Sequence, residues 1–162
     1  MIIHRGEFVI IVGKSGSGKS SLLNILGTVD IPTRGEMIIS GCTLTEHVKD
    51  SLISSIRLHS IGFIFQTFNL IPSMTASQNI ELPLLLRVRW IIHIPQLKGG
   101  LTKAQRKIAV DELLHRVGMD NRGDHYPSQL SGGEQQRISI ARGLANSYEI
   151  IIHDTIDLKS YY

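Results

Sequence analysis

The stretch Gly13–Ser20 constrains this chain more than any other part of the sequence, because it reads GKSGSGKS and fits the phosphate-binding pattern G-x-x-x-x-G-K-[ST]. The apolar run Phe8–Val12 leads into it and the helix-forming segment Ser21–Leu26 leads out, which is the strand–loop–helix context the motif needs. Glycines let successive backbone N–H groups turn towards an anion, and the helix N-terminus adds a favourable dipole. The stretch therefore predicts a site for a nucleoside triphosphate; the alternative is a flexible turn rich in glycine and serine.

Within this loop, Lys19 is expected to bind the β- and γ-phosphates, and the Ser20 hydroxyl is expected to bind Mg²⁺. The predicted nucleotide-binding residues are those of the loop and of the first turn of its helix: Gly13, Lys14, Ser15, Gly16, Ser17, Gly18, Lys19, Ser20 and Ser21.

The composition sets the wider limits. A chain of 162 residues suits one domain with a real core, and a formal net charge of +3 gives little support for nucleic-acid binding. Cys42 is the only cysteine, so an internal disulfide is excluded and a reducing, intracellular setting is expected. No secretory signal is recognisable, and no apolar run approaches the ~18 residues that span a bilayer. We therefore expect any membrane-spanning part to belong to another chain.

Hydrophobic patterns predict the elements around the loop. Phe8–Val12 is apolar on both faces and predicts a buried strand of a parallel sheet. Ile61–Gln66 predicts a second apolar strand that ends on an amide, and Glu36–Ile39 predicts a short strand. A helix is predicted over Thr102–Val117, with Thr102 as its N-cap and Gly118 as its end. Its predicted apolar side consists of Ala104, Ile108, Leu113, Leu114 and Val117.

A second motif, LSGGEQQR, occupies Leu130–Arg137 and precedes a predicted helix over Glu134–Ala145. Ser131 is a natural N-cap, and two glycines after it allow close backbone approach at a helix N-terminus, which predicts a second anion site. On its own the motif also fits a capped helix after a loop. The predicted apolar side of this helix consists of Ile138, Ala141, Leu144 and Ala145.

Together, a P-loop and LSGGEQQR resemble the ATP-binding-cassette (ABC) ATPases, whose signature sequence the second motif matches. FIFQ at Phe63–Gln66 resembles the Q-loop of that family. The segments LLNILGTVDIPTRGEMIISG and NLIPSMTASQNIELPLLL resemble the branch that includes lipoprotein-release and macrolide-export ATPases. The resemblance covers nearly the whole chain.

The resemblance implies an α/β P-loop NTPase fold, with a RecA-like, mostly parallel sheet flanked by helices and an α-helical subdomain, in a core that is incomplete. We expect a single, partial domain over 1–162. Its nucleotide-binding core is predicted at 1–66 and 143–162, and its helical and signature subdomain at 67–142, with an insertion at about 87–100.

It also implies a head-to-tail homo- or heterodimer of ATPase domains, with ATP and Mg²⁺ held between the P-loop of one chain and the signature of the other. The implied signature residues are Leu130, Ser131, Gly132, Gly133, Glu134 and Gln135. Gln66 would bind Mg²⁺ and the attacking water and relay that state to a membrane partner, although alone it also fits an exposed amide at a strand end.

The family's Walker B strand resembles Ile150–Asp154, so Ser20, Gln66 and Asp154 are the implied Mg²⁺ ligands and the last two the implied catalytic residues. Asp154 also fits an acid that caps the next turn. Thr155 stands where the family has its catalytic glutamate, and a threonine hydroxyl cannot act as a general base near pH 7. Glu149 lies at the opposite end of the strand, which leaves Asp157 as a weak substitute.

Compared with the family, the sequence looks truncated at both ends, because the adenine-stacking aromatic residue, the D-loop and the switch histidine are absent from it. Three functions are open. The first is an ATPase subunit of an ABC transporter, peripheral at the cytoplasmic face of a membrane and bound to transmembrane subunits. The second is a truncated or hydrolysis-deficient nucleotide-binding regulator. The third is a chromosome or DNA-repair ATPase, which the absence of sustained heptads disfavours.

Overall fold

A computed structural model of the chain describes residues 1–91, 101–146 and 148–154. The architecture is α/β, as predicted. Its helices are α1 Lys19–Leu26, α2 Asp50–His59, α3 Ala76–Ile91, α4 Lys103–Arg116 and α5 Gly132–Leu144. Its strands are β1 Met37–Ile39, β2 Cys42–Leu44, β3 Ile61–Ile64 and β4 Ile150–His153. Short 3₁₀ turns occupy Asp120–Arg122 and Pro127–Gln129.

Two strand pairs form within the described residues. β1 and β2 make an antiparallel hairpin around Ser40 and Gly41, whose φ angles of 49° and 79° suit a tight hairpin turn. β3 and β4 run parallel, with Ile61 opposite Ile150 and Ile64 opposite His153. The crossover between these parallel strands contains α3, α4 and α5, so the helical part of the molecule is built between two neighbouring strands of one sheet.

The predicted buried strand Phe8–Val12 is wrong. The segment pairs with no strand of the described part of the chain, and the side chains of Phe8 and Val12 are 90% and 70% exposed. An apolar run becomes a buried parallel strand only when neighbouring strands and covering helices surround it. Neither β3 nor β4 pairs with this segment, so the apolar side chains of the segment remain at the surface.

The buried apolar residues fall into two clusters. The cluster that we call the sheet core contains Ile39, Leu44, Ile56, Ile61 and Ile152, and Leu23 and Leu26 of α1 pack against it. The cluster that we call the helical core contains Ala76, Ile80, Leu84, Val110, Leu114, Met119, Leu130, Ile138 and Ala141. The helix that follows the P-loop is thus anchored on the sheet, whereas α3, α4 and α5 pack on one another.

The ends predicted for α4 are confirmed, but its predicted apolar side is partly wrong. Thr102 forms a capping box with Gln105, and Val117 and Gly118 end the helix. Ile108 is 67% exposed and Ala104 is exposed too, because the helix turns the row Val110, Leu114 and Val117 towards α3. These three positions follow the i, i+4, i+7 spacing of one helix face, of which only the last two members were predicted.

The other two long helices also depart from the sequence expectations at their edges. α5 begins at Gly132 rather than Glu134, and it buries Ile138 and Ala141 completely, but Leu144 is 41% exposed. The prediction that Leu144 belongs to the buried side is therefore wrong.

α3 continues to Ile91, into the segment predicted as an insertion, and residues 92–100 lie outside the described part. None of the described helices has both the length and the apolar character of a membrane span.

Candidate nucleotide-binding site

The loop before α1 has a backbone that favours glycine at two positions and leaves little space for a side chain at a third. Gly16 and Gly18 adopt φ angles of 78° and 88°, in the left-handed region that side chains disfavour. Gly13 is restricted by space instead, because a Cβ atom there would lie 2.7 Å from the Ser17 hydroxyl oxygen. The glycines of the motif therefore set the curl of the loop, as the sequence predicted.

The same loop presents donors and a positive charge to the surface. Gly18 is the N-cap of α1. Because glycine has no side chain, the N-cap offers no side-chain acceptor to the backbone amides of the first turn. The Lys19 ammonium donates hydrogen bonds to the carbonyl oxygens of Gly13 and Lys14, at 2.8 and 2.9 Å. Residues 13–18 are exposed, so an anion can reach these groups from solvent.

Gln66 and Asp154 lie at the same edge of the parallel strand pair. The Asp154 backbone N–H donates to the Ile64 carbonyl at 3.1 Å, directly beyond the last paired residues of β3 and β4. Gln66 follows Ile64 by two positions. The carboxyl ends of parallel strands are where α/β proteins bind ligands, so both predicted residues lie at a suitable edge of the sheet.

Glu149 is placed at the other end of β4, where its carboxylate accepts from the Ser40 hydroxyl at 2.9 Å and pairs with Arg5 at 3.5 Å. This agrees with the expectation that it cannot replace a catalytic base beside Asp154. Thr155 and Asp157 lie outside the described residues.

The predicted metal ligands offer a hydroxyl from Ser20, an amide oxygen from Gln66 and a carboxylate from Asp154. Oxygen donors with a single carboxylate fit Mg²⁺, which keeps several waters and binds through few protein groups. Within the described ranges, no three His, Cys, Asp or Glu side chains gather in a way that could hold a metal ion.

At the start of α5, Ser131 and Glu134 form a capping box. The Glu134 N–H donates to the Ser131 hydroxyl at 3.3 Å, and the Glu134 carboxylate accepts from the N–H and the hydroxyl of Ser131, each at 2.8 Å. Arg122 pairs with the same carboxylate at 3.2 Å. The bonds from the Ser131 backbone and hydroxyl, and then the charge of Arg122, lower the pKa of Glu134. The carboxylate is therefore charged at neutral pH.

Of the other signature residues, Gly133 lies beside open space, whereas Gln135 and Leu130 contact other parts of the chain. A Cβ atom on Gly133 would meet nothing within 4 Å, so the backbone there can be approached closely. The Gln135 amide donates to the carbonyls of Pro127 and Leu130, and the side chain of Leu130 is buried in the helical core. Contact of these residues with a nucleotide stays a prediction, and the structure gives Gln135 and Leu130 a local role in fixing the loop before α5.

Sequence reasoning missed a contact between α5 and the turn after Gln66. The turn has left-handed φ angles of 58° at Phe68 and 47° at Asn69. This conformation costs roughly 1–2 kcal/mol at Phe68, whereas asparagine adopts it more readily. Arg142 donates to both of their carbonyl oxygens, at 2.8 and 2.6 Å, and the Ser139 hydroxyl donates to the Phe68 carbonyl at 3.1 Å. Burial lowers the pKa of the Arg142 guanidinium.

Comparisons with known proteins define first the class and then the family. A fold with a P-loop before α1 and polar residues at the carboxyl end of β3 and β4 is that of a P-loop nucleotide-binding protein. A family model described as ABC transporter matches residues 1–156, and the chain therefore belongs to the ABC transporter family. The family and the fold class predicted from the two motifs are confirmed.

Among its relatives, the "ABC transporter H family member 2" of Dictyostelium discoideum is 47% identical over 95% of this chain and 28% of its own length. The "Macrolide export ATP-binding/permease protein MacB" of Shigella flexneri is 43% identical over 94% of this chain and 22% of its own, which agrees with the predicted branch. A solved "post-hydrolysis state of the ATP-binding cassette MJ0796 bound to ADP and Pi" has a TM-score of 0.84 and 42% identity, over 99% of this chain and 67% of its own.

Proposed function

We propose that this chain is the ATP-binding part of an ABC transporter, which couples the binding and hydrolysis of ATP to transport by transmembrane partner subunits at the cytoplasmic face of a membrane. The observation that carries the proposal is the geometry of the Gly13–Ser20 loop. It combines glycine-dependent curvature, an α1 N-terminus without a side-chain cap and a lysine held by two loop carbonyls.

The loop suits the β- and γ-phosphates of ATP. Backbone N–H groups and the α1 dipole favour negative charge at this position. Lys19 can leave the carbonyls of Gly13 and Lys14 and donate instead to phosphate oxygens, a stronger interaction because both partners are charged. Phosphoryl transfer to water then depends on positioning and on charge neutralisation rather than on a covalent intermediate.

Mg²⁺ is proposed to bind through the Ser20 hydroxyl, Gln66 and Asp154. Bound there, it would neutralise charge that develops on the β- and γ-phosphates. Gln66 follows a paired strand and is exposed, so its amide can orient a water towards the γ-phosphate. Asp154 follows the neighbouring strand and supplies the one carboxylate.

A head-to-tail dimer, of two identical or two related chains, is proposed to complete each site. The exposed N-terminus of α5, with Ser131 as its cap and free space at Gly133, can approach the γ-phosphate of ATP on a partner chain. The related cassette MJ0796 has been solved as a dimer, and the relative from Shigella flexneri is named as an ATP-binding and permease protein. These facts about relatives support the proposed partners.

The proposed division of the chain follows the two hydrophobic clusters. The sheet core lies within 1–66 and 143–162, and the helical core lies within 67–142.

The chain spans 28%, 59% and 61% of the length of three curated relatives that it matches.

A second candidate function is nucleotide binding without hydrolysis. Thr155 occupies the position where the family places a glutamate that polarises water, and a threonine hydroxyl does not take up a proton near pH 7. In that case the protein would respond to ATP by binding and dimerising only.

Turnover distinguishes the two candidates. Phosphate release would be measured with saturating ATP and Mg²⁺ for the wild type, for Lys19→Ala and for Lys49→Ala, an exposed lysine outside the loop. The first candidate predicts release by the wild type and Lys49→Ala well above that of Lys19→Ala. Release by the wild type at the level of Lys19→Ala, with ATP binding retained, supports the second. A wild type and a Lys19→Ala variant that bind ATP equally would contradict both.

A further inference from the structure

A single helix, α5, contacts the chain both before and after Gln66. Upstream, α5 packs closely against β3, because a Cβ atom on Gly143 would lie 2.7 Å from the Ile64 side chain. Downstream, Arg142 and Ser139 of the same helix donate to the turn that begins at Thr67. Gln66 therefore lies between two segments that α5 fixes.

The downstream contact holds a backbone conformation that the sequence does not favour. Thr67, Phe68 and Asn69 form a tight turn in which the Asn69 N–H donates to the Thr67 carbonyl at 2.6 Å. Phe68 keeps its left-handed conformation only where the surroundings determine it, and its carbonyl accepts from the Arg142 guanidinium and the Ser139 hydroxyl. Asn69 adopts this conformation more readily, and its side-chain oxygen accepts from the Thr67 hydroxyl at 3.0 Å. The guanidinium bridges two successive carbonyls, which a lysine ammonium cannot reproduce with the same geometry.

We propose that Arg142 is a positioning residue that holds the Gln66 amide at the nucleotide site by clamping the Phe68 and Asn69 carbonyls, with Ser139 as a supporting donor. The inference rests on the proposed function, in which Gln66 binds Mg²⁺ beside ATP. α5 also begins at Ser131, so one rigid helix joins the signature end, proposed to face the partner's ATP, to the turn beside the chain's own ATP.

The test measures how much Mg²⁺ strengthens the binding of a fluorescent ATP analogue, as the ratio of the Kd in EDTA to the Kd in Mg²⁺. Arg142→Lys is expected to lower this ratio by roughly 10-fold, the scale of a lost hydrogen bond to a charged group, while the Kd in EDTA stays unchanged. Arg116→Lys, an exposed arginine of α4 outside both motifs, is the matched control and should keep the wild-type ratio.

A double-mutant cycle separates positioning from a general effect on folding. If Arg142 acts through Gln66, Arg142→Lys should change nothing further in a Gln66→Ala background. The proposal would be overturned if Arg142→Lys lowered the ratio as much in the Gln66→Ala background as in the wild type. An Arg142→Lys ratio equal to that of the wild type would also overturn it. A rise of the Arg142→Lys Kd in EDTA by the same factor as in Mg²⁺ would also overturn it, because the ratio would then be that of the wild type.

Ser139→Ala keeps the proposal testable if Arg142→Lys fails to fold, because it removes one donor to the Phe68 carbonyl and no charge. It is expected to lower the Mg²⁺ ratio about 3-fold, in line with the weaker, neutral hydrogen bond. An unchanged ratio in a folded Ser139→Ala variant would count against the clamp. Failure of the proposed function looks different, since the wild type would then bind the analogue no better than Lys19→Ala.

Discussion

The two proposed anion-binding ends of this chain, the P-loop and the signature end of α5, are built in opposite ways. The signature end belongs to α5, which is capped by Ser131 and buries Ile138 and Ala141 completely in the helical core. The P-loop end follows an apolar segment with no strand partner in the described residues, and the Phe8 side chain is 90% exposed. The signature motif is thus supported by the packing of its own helix, whereas the P-loop depends on the packing of α1, the helix that follows it.

The difference separates short-range from long-range sources of order. A capping box and an apolar helix face require residues only three or four positions apart. A buried parallel strand requires neighbours that are distant in the sequence, together with helices on both faces. We therefore expect stability to reside in α3, α4 and α5, with little contribution from the segment before the P-loop.

The largest predicted effect contrasts these two regions directly. Ile138→Ala should destabilise the protein by about 2–5 kcal/mol, because it leaves a cavity in the helical core. Phe8→Ala should change the free energy of unfolding by about 0.5 kcal/mol or less, as expected for an exposed site. Chemical denaturation of both variants provides the measurement. A Phe8→Ala loss as large as that of Ile138→Ala would show that the segment is buried in solution and would break the contrast.

A smaller effect is expected at the two helix caps. Thr102→Ala and Ser131→Ala should each cost about 1 kcal/mol, because each removes the oxygen that accepts from an N3 backbone N–H. Only Ser131→Ala should also weaken ATP-dependent dimerisation, which sedimentation in the presence of ATP and Mg²⁺ would detect. Equal dimerisation by the two variants would contradict the proposed role of Ser131 and leave it as a cap alone.

The smallest effect is a pH dependence at Glu134. Its pKa in the folded protein is lowered below 4.5, first by the Ser131 backbone N–H, so protonation of this carboxyl favours the unfolded chain. Its contribution is complete above about pH 4.5 and is lost as the pH falls through the folded pKa. The stability difference between wild type and Glu134→Gln should therefore be constant above that pH and shrink below it. A difference that does not change between pH 6 and pH 3, in parallel unfolding titrations, would argue against this capping interaction.

How much the sequence could predict follows the same division. The glycines of the P-loop and the caps Thr102 and Ser131 were predictable, because each rests on a local pattern. The fold class followed from the resemblance that the two motifs carry. The exposure of Phe8–Val12 and Ile108 was not, since burial depends on which distant element covers a face. The clamp from Arg142 to Phe68 was also beyond reach, because it joins residues far apart in the chain and a left-handed phenylalanine has no sequence signal.

The most direct test of the account is the affinity of the P-loop for ATP. Equilibrium titration of ATP and Mg²⁺ into the wild type and Lys19→Ala would use Lys49→Ala as the matched control. We predict that Lys19→Ala weakens binding by roughly 10- to 100-fold, the value of a hydrogen bond between charged groups, and that Lys49→Ala binds as the wild type does. Equal affinity for the wild type and Lys19→Ala would contradict the claim that Gly13–Ser20 holds the phosphates.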